Sequence, residues 1–323
     1  MINKKTVFIL GAGSNVTYGF PTGVQLRYII LTEFLAQQQN MISFWTRSGW
    51  DQQIEREQIM NSTRDFLKKF ERSGNKSIDL FLSRSPSHIK MGKTAIIKTI
   101  KGCEFDSVFP NDPALKADDW YSHLFHLMSE DFRTPERYFI SENNISFITF
   151  NYDRSLEYYL HQCLSNSFCE IPEVDKDDEF SKIKFYHVYG KIGRLGFEPQ
   201  DDKPELDYRE KLKDKEYSDF FDSIDIIDPE RVQSISDPFI SILQNAERIY
   251  FLGFDYAVEN LEALGVGSEK PLKQNCVIYG TAFNKSELEI SVIRKRFEDR
   301  GIYQELILDD LRSLEFLKIY VPE

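Results

Sequence analysis

The sequence predicts an α/β fold, a doubly wound parallel sheet carrying a helical insertion module. Three observations predict it. First, a short apolar strand, a turn and a helix recur along the chain, with turns at Gly11, Gly190, Gly253 and Gly280 and a glycine-free version at Asn151. Alternation of this kind builds parallel sheets with helices on both faces. Second, the opening turn "GAGSNVTYGFPTG" (11–23) has the small residues of a dinucleotide-binding strand–turn–helix unit, which makes the sheet Rossmann-like. Third, the alternation lapses between residues 40 and 140, where helical stretches replace it. The expected division is residues 1–39 and 141–323 for the Rossmann-like domain and 40–140 for the insertion.

Each element has its own signal. "TVFIL" (6–10) is a β-branched and aromatic run that reads as a buried strand. Residues 23–39 place Leu26, Ile29, Ile30 and Phe34 at helical spacing. Residues 51–73 read as a long amphipathic helix, 77–84 as a short one with Ser77 as its N-cap, and 119–131 as an aromatic one. The stretch 84–118, rich in Ser, Pro, Gly and Lys, reads as loop. Strand and helix return with Ile145–Phe150 and 154–166, then with a strand in "KIKFYHVYG" (182–190). Residues 199–228 are dense in charge and read as a solvated surface insertion. A helix interrupted or restarted at Pro238 precedes the strand of "RIYFLGFDY" (248–256). The strand of "NCVIYGTAF" (275–283), a helix at 286–301 stopped by Gly301, and a closing segment 309–320 complete the chain.

Composition narrows the function. A net charge of −12 disfavours a general nucleic-acid binder, which needs basic groups against phosphates. No apolar stretch is long enough to span a bilayer. The N-terminal "MINKKTVFILGAG" ends its five-residue apolar run in a glycine turn and reads as a first strand rather than a signal peptide. The four cysteines, Cys103, Cys163, Cys169 and Cys276, form no C-x-x-C pair, so no zinc or other metal site is expected, and their use suits a reducing cytoplasm.

Candidate chemistry lies at the strand ends. Gly11 and Gly13 would let the backbone approach a pyrophosphate resting on the following helix N-terminus. A dehydrogenase is disfavoured, because Val16 stands where the third glycine belongs and no acidic residue closes a second strand about 20 residues on. Asn151 and Asp153 end the second strand; Asp153 can equally be a helix cap. His187 is the one histidine of five that stands near a strand's carboxyl end before a glycine turn. A satisfied core histidine is the competing reading. Strand alternation would put His187 and Tyr189 on one face. His123 and His126, at i, i+3, lack a third ligand and read as packing.

In order, "GAGSNVTYGFP", "TFNYD" and "YHVYG" resemble the sirtuin family, and more closely its bacterial branch found in antiphage defence systems. The resemblance covers roughly residues 1–35 and 140–300, with "SIDLFL" the only familiar stretch between. It implies cleavage of the nicotinamide–ribose bond of NAD+, with no four-cysteine zinc module at the spacing of the deacetylating members. It assigns Gly11, Ala12, Gly13 and Ser14 to the pyrophosphate, with Gly19 and Pro21 in the second loop over the nucleotide. Asn151 would position the nicotinamide ribose or a water. Asp153 would hold the loop or reach the nicotinamide end. Gly253, Phe254, Gly280 and Thr281 would line the adenosine side, and Tyr189 and Gly190 would complete the pocket. Two departures stand out. Phe150 replaces the usual Gln, and Tyr189 is paired with Gly190 where a His-Gly is usual. Either His187 or Tyr189 can hold the catalytic place; His187 is favoured as proton acceptor because an ordinary tyrosine is a poor base. The family also implies a homo-oligomer and, in some systems, a HerA-type ATPase partner. An NAD+ hydrolase is the first expectation; a non-catalytic NAD+ or ADP-ribose binding scaffold and an NAD-dependent protein deacylase are the alternatives.

Overall fold

Among the described residues, six strands, all parallel, form a single sheet in the order β3-β2-β1-β4-β5-β6. They are β1 (Thr6–Leu10), β2 (Ile145–Thr149), β3 (Lys184–His187), β4 (Arg248–Leu252), β5 (Val277–Thr281) and β6 (Glu305–Asp309). The computed structural model describes residues 1–45, 50–107, 118–132, 134, 137–212, 216–226, 232–265, 267 and 269–321. The chain winds outward from β1 to β3, returns to the centre, and winds outward again from β4 to β6. The Rossmann-like α/β expectation therefore holds. The winding reverses between β1 and β4, which pair directly, with Leu10 opposite Leu252. At such a switch point the connections leave in opposite directions and open a crevice at the carboxyl ends. Leu10 is also opposite Thr149, so Gly11, Phe150 and Gly253 follow their strands at one level.

Central strands carry apolar residues on both faces because helices cover both. All five residues of β1 are buried. Phe8 lies in a row of stacked rings, 5.6 Å from Phe147 and 5.1 Å from Tyr250, and Phe185 and Tyr279 extend that row.

The helices are α1 (Gly23–Trp45), α2 (Trp50–Arg72), α3 (Ile78–Ser83), α4 (Ile89–Asp106), α5 (Trp120–Ser129), α6 (Ser155–Ser167), α7 (Glu173–Ser181), α8 (Val232–Asn245), α9 (Val258–Ala263), α10 (Glu287–Glu298) and α11 (Ser313–Tyr320). None of the described helices is long and apolar enough to cross a membrane. Ser77 caps α3 by accepting from the Leu80 amide, as its sequence predicts. Ser286 and Glu289 form a reciprocal capping box at the start of α10.

Several sequence expectations need correction. The stretch 84–118 contains α4, whose buried Ala95, Ile96, Ile97 and Ile100 keep helical spacing among lysines and glycine; residues 108–117 lie outside the described residues. Gly92 of α4 meets Leu82, and a Cβ there would lie 2.4 Å from a Leu82 methyl carbon. Helix α8 runs on through Pro238, although the proline side chain lies outside the described residues. The charged stretch 199–228 is not simply solvated: Leu206, Tyr208, Phe220 and Ile224 are buried, and Ile224 bridges Gly190. Gly280 is a β5 residue rather than a turn; a Cβ would lie 2.1 Å from the Tyr256 hydroxyl, so the glycine makes room for that ring. The closing segment is preceded by β6, unread from sequence because only Leu306, Ile307 and Leu308 are apolar.

The helices of residues 40–140 share the sheet's hydrophobic core rather than forming a separate one. Trp120 Nε1 donates to Ser14 O at 2.8 Å, and the Tyr18 and Tyr121 rings stack at 3.8 Å. A buried ion cluster ties α4 to the start of α6. Arg154 donates to both oxygens of Glu104, at 3.0 and 2.6 Å, and Lys101 joins at 3.1 Å. Removing one member of such a cluster leaves an unpaired buried charge, at a cost of about 3–5 kcal/mol.

Candidate functional site

At the crevice, the β1 and β4 turns meet backbone to backbone. Gly13 N donates to Gly253 O at 3.0 Å, and Gly11 N to Leu252 O at 3.0 Å. No side chain fits between them. A Cβ on Gly11 would lie 2.6 Å from Gly253 O, and one on Gly13 2.8 Å from the same oxygen. A Cβ on Gly253, where φ is +57°, would lie 1.9 Å from Ser14 N. Thr281 Oγ1 then accepts from Gly253 N at 2.9 Å, and the Tyr256 hydroxyl donates to Thr281 O at 3.0 Å.

Three amides of the expected phosphate cradle are engaged within the protein: Gly11 N by Leu252 as above, and two more. The Gly13 amide is used by Gly253, and the Ser14 amide donates to Gly11 O at 3.0 Å. Ser14 Oγ lies 2.8 Å from Gly11 O and 2.8 Å from Asn15 Oδ1. The glycines are there because two turns touch, a demand that sequence spacing alone does not separate from phosphate binding. Ala12 is half-buried and Gly13 is exposed at the lip of the turn. Gly19, at φ +91°, ends the short 3-10 turn Ala12–Tyr18 in open space, and half-buried Pro21 follows.

Beside this contact the β2 end is built from buried polar side chains. Asn15 Nδ2 lies 3.0 Å from both Asp153 oxygens, and Ser155 N donates to Asp153 Oδ1 at 3.1 Å. The Ser155 hydroxyl also hydrogen-bonds to that carboxylate. Asp153 therefore holds the β1 turn against the first turn of α6. Burial pushes its carboxyl up to about 6, against the lowering hydrogen bonds from Ser155 and Asn15.

Asn151 is 6 % exposed and held at several points. Its amide donates to Thr149 Oγ1 at 3.1 Å, and its Nδ2 reaches Gly11 O at 3.4 Å. Its Oδ1 is buried and has no hydrogen-bond partner. A buried acceptor left unpaired costs about 1–3 kcal/mol, so such an atom marks a place where a donor is wanted.

His187 ends β3 with its side chain 4 % exposed. Nδ1 lies 3.0 Å from Asn151 O, and Nε2 lies 2.5 Å from Glu157 Oε1 on α6. Burial opposes ionisation of Glu157, but His187 and Lys191 outweigh it and hold the carboxyl down to about 2. Both oxygens beside the ring are hydrogen-bond acceptors, so both nitrogens of the expected proton acceptor are engaged within the protein.

Tyr189 parts from His187 because the strand ends there. Gly190 N turns back to His187 O at 3.1 Å with Gly190 at φ +70°. The Tyr189 hydroxyl instead donates to Asn260 Oδ1 of α9 at 2.9 Å. Burial pushes that hydroxyl up, reinforced by Asp79, Asp255 and Glu259, so it remains a neutral donor. Phe150 lies between the Tyr189 ring at 5.5 Å and the Phe254 ring at 5.0 Å. Phe254 is 3 % exposed and belongs to this aromatic cluster. Next to it the Tyr152 hydroxyl bonds Asp79 of α3, so a residue of the helical region reaches the β2 end. Burial raises the Asp79 carboxyl, against that hydrogen bond.

The structure thus brings together Gly11, Gly13, Ser14, Asn151, Asp153 and Gly253, and connects His187 to them through the Asn151 carbonyl. Gly280 and Thr281 act from behind, through Tyr256 and Gly253. Sequence reasoning missed Asn15, Ser155 and Glu157. A signal existed for Glu157: with His161 it repeats at i, i+4 on an otherwise apolar stretch of α6, and both are buried. His161 with Glu173 and Asp177 forms a cluster of metal-ligand type. The Lys176 ammonium already pairs with Glu173 at 2.8 Å. No protein-family model matches this chain, and no curated protein matches it.

Proposed function

We propose that the protein is an NAD+ hydrolase, cleaving the nicotinamide–ribose bond to nicotinamide and ADP-ribose and acting by NAD+ depletion in bacterial antiphage defence. The single observation that carries the reading is the buried, unpartnered Asn151 Oδ1 at the carboxyl edge of the sheet, beside the β1–β4 switch point. It offers an acceptor to a ribose hydroxyl or to the attacking water. Scission of an N-glycosidic bond passes through an oxocarbenium-like transition state, and water can capture that cation once it is oriented. Such a reaction asks more for orientation and desolvation than for a strong base. The sirtuin resemblance supplies the substrate class, the cytoplasmic setting, a homo-oligomer and a HerA-type ATPase as candidate partner.

The engaged nitrogens of His187 and the Tyr189-Gly190 pair favour a second reading, a non-catalytic NAD+ or ADP-ribose binding scaffold. Purified protein incubated with NAD+ alone, and with candidate partners, separates the two. The hydrolase reading expects nicotinamide release that falls at least 100-fold in Asn151→Ala, roughly the effect of deleting one oriented polar group. Binding without turnover under every condition supports the scaffold. Release only in the presence of an acylated peptide supports a protein deacylase.

A further inference from the structure

We propose that Glu157 and His187 form a positioning pair: the His187 ring, held between Glu157 Oε1 and Asn151 O, fixes the Asn151 peptide and with it the unpartnered Oδ1, and His187 is not a general base. The kinetic part of this inference rests on the hydrolase reading; the spectroscopic part does not.

The geometry has three links. Nδ1 of His187 lies 3.0 Å from Asn151 O, and Nε2 lies 2.5 Å from Glu157 Oε1. Both side chains are nearly sealed, 4 % and 3 % exposed, so the pair cannot relax into water. Asn151 is otherwise held by the Thr149 hydroxyl and by a longer contact to Gly11 O. The carbonyl clamp therefore comes from α6, by way of β3, onto the end of β2. The charged groups facing the ring are few. Glu157 comes from α6; the loop after β3 brings Lys191, with Nζ 3.9 Å from Glu157 Oε1, and Glu198, which pairs with Lys191. From β2 the ring meets the neutral Thr149 and the Asn151 peptide.

A base and a clamp give opposite pH profiles. A base must lose its proton to work, so its rate falls tenfold per unit on the acid side. The clamp needs Nδ1–H, which either the imidazolium or the Nδ1–H neutral form supplies, so the acid side stays flat. Glu157→Gln separates charge from position. The Gln amide donates to Nε2, and Nδ1–H still holds Asn151 O.

The test takes nitrogen-15 spectra of histidine-labelled full-length protein at neutral pH without nucleotide, with His187→Gln assigning the signal. Nδ1 should be protonated in the wild type and in Glu157→Gln. A wild-type ring with bare Nδ1 overturns the proposal whatever the enzymology. In kinetics, Glu157→Ala should lower kcat tenfold or more with KM changed less than threefold, and Glu157→Gln should recover kcat to within threefold of wild type. A wild-type rate climbing tenfold per pH unit below neutrality, or Glu157→Ala matching wild-type kcat, also overturns it. If the wild type releases no nicotinamide, the hydrolase reading fails, and the spectra still decide the clamp.

Discussion

The two halves of the sheet's carboxyl edge are built differently. Where β1 and β4 end, backbone lies on backbone, and glycines are required because no Cβ fits. Where β2 and β3 end, buried polar side chains lie in layers, Asp153 under the β1 turn and Glu157 and His187 behind Asn151. The first half is tight and has little left to offer a ligand. The second keeps an unused acceptor, Asn151 Oδ1. Stability is concentrated in the glycine contact, and unspent binding capacity in the polar half. Substitutions in the two halves should therefore behave differently.

The largest effect is expected at Gly253. Its φ of +57° disfavours any L side chain, and a Cβ would lie 1.9 Å from Ser14 N and 2.3 Å from Gly13 C. Both obstacles are backbone, so neither can turn aside. Gly253→Ala should cost more than about 4 kcal/mol, the range reserved for overpacking joined to backbone strain. Chemical denaturation checks it. A variant that folds with wild-type stability would mean that the two turns do not touch in solution.

Next is Asp153, where the effect depends on pH. Its carboxyl stands at about 6 in the folded protein against an ordinary 3.8. A raised carboxyl favours the folded state when protonated, so the folding penalty is full above about pH 6 and is relieved as pH falls towards 4. A shift of this size corresponds to about 3 kcal/mol. Glu157 acts with the opposite sign. Its depressed carboxyl contributes stability above the ordinary 4.5, which is lost as pH falls towards 2. The stability of Asp153→Asn relative to the wild type should therefore be highest above pH 6 and fall between 6 and 4. Unfolding free energies of the two proteins at several pH values, compared as differences, isolate this group from the buried His161, whose lowered value also acts in that window. A difference that stays flat with pH would break the contrast between the two halves.

The fold was legible in the sequence because burial leaves a periodic trace. Five of the six strands and most helices announce themselves by apolar spacing and by a turn. Helix α4 was hidden because its buried face includes Gly92, Lys101 and Glu104, whose burial rests on Leu82, on the Asp207 and Tyr208 carbonyls and on Arg154. The site was half legible. Asn151, Asp153 and His187 are visible as polar residues at strand ends, but their roles depend on contacts 30 to 140 residues away along the chain. The demand for glycine in the β1 turn is ambiguous in sequence for the same reason. A tight turn looks the same in one dimension whether a phosphate or another turn lies against it.

A smaller effect is expected at Gly19, the control for Gly253. It also has positive φ, +91°, but a Cβ there would meet nothing within 4 Å. Only the backbone conformation is strained, so Gly19→Ala should cost about 1–2 kcal/mol. Equal losses at Gly19 and Gly253 would show that conformation, and not the turn-to-turn contact, sets the demand for glycine.

The smallest effect on stability is expected where the effect on function is largest. Asn151→Ala removes the contact to Gly11 O, which at 3.4 Å is weak, and leaves a small gap. It also removes a buried acceptor that has no partner. The first loss is worth about 1 kcal/mol and the relief about the same. The net change should be under about 1 kcal/mol, with either sign, while nicotinamide release is abolished. The backbone amide and carbonyl of residue 151 survive in the variant, so the Thr149 and His187 contacts persist and the fold keeps its clamp. Should Asn151→Ala instead lose several kcal/mol, Oδ1 has a structural partner in solution, and the polar half of the edge is as fully committed to stability as the glycine half.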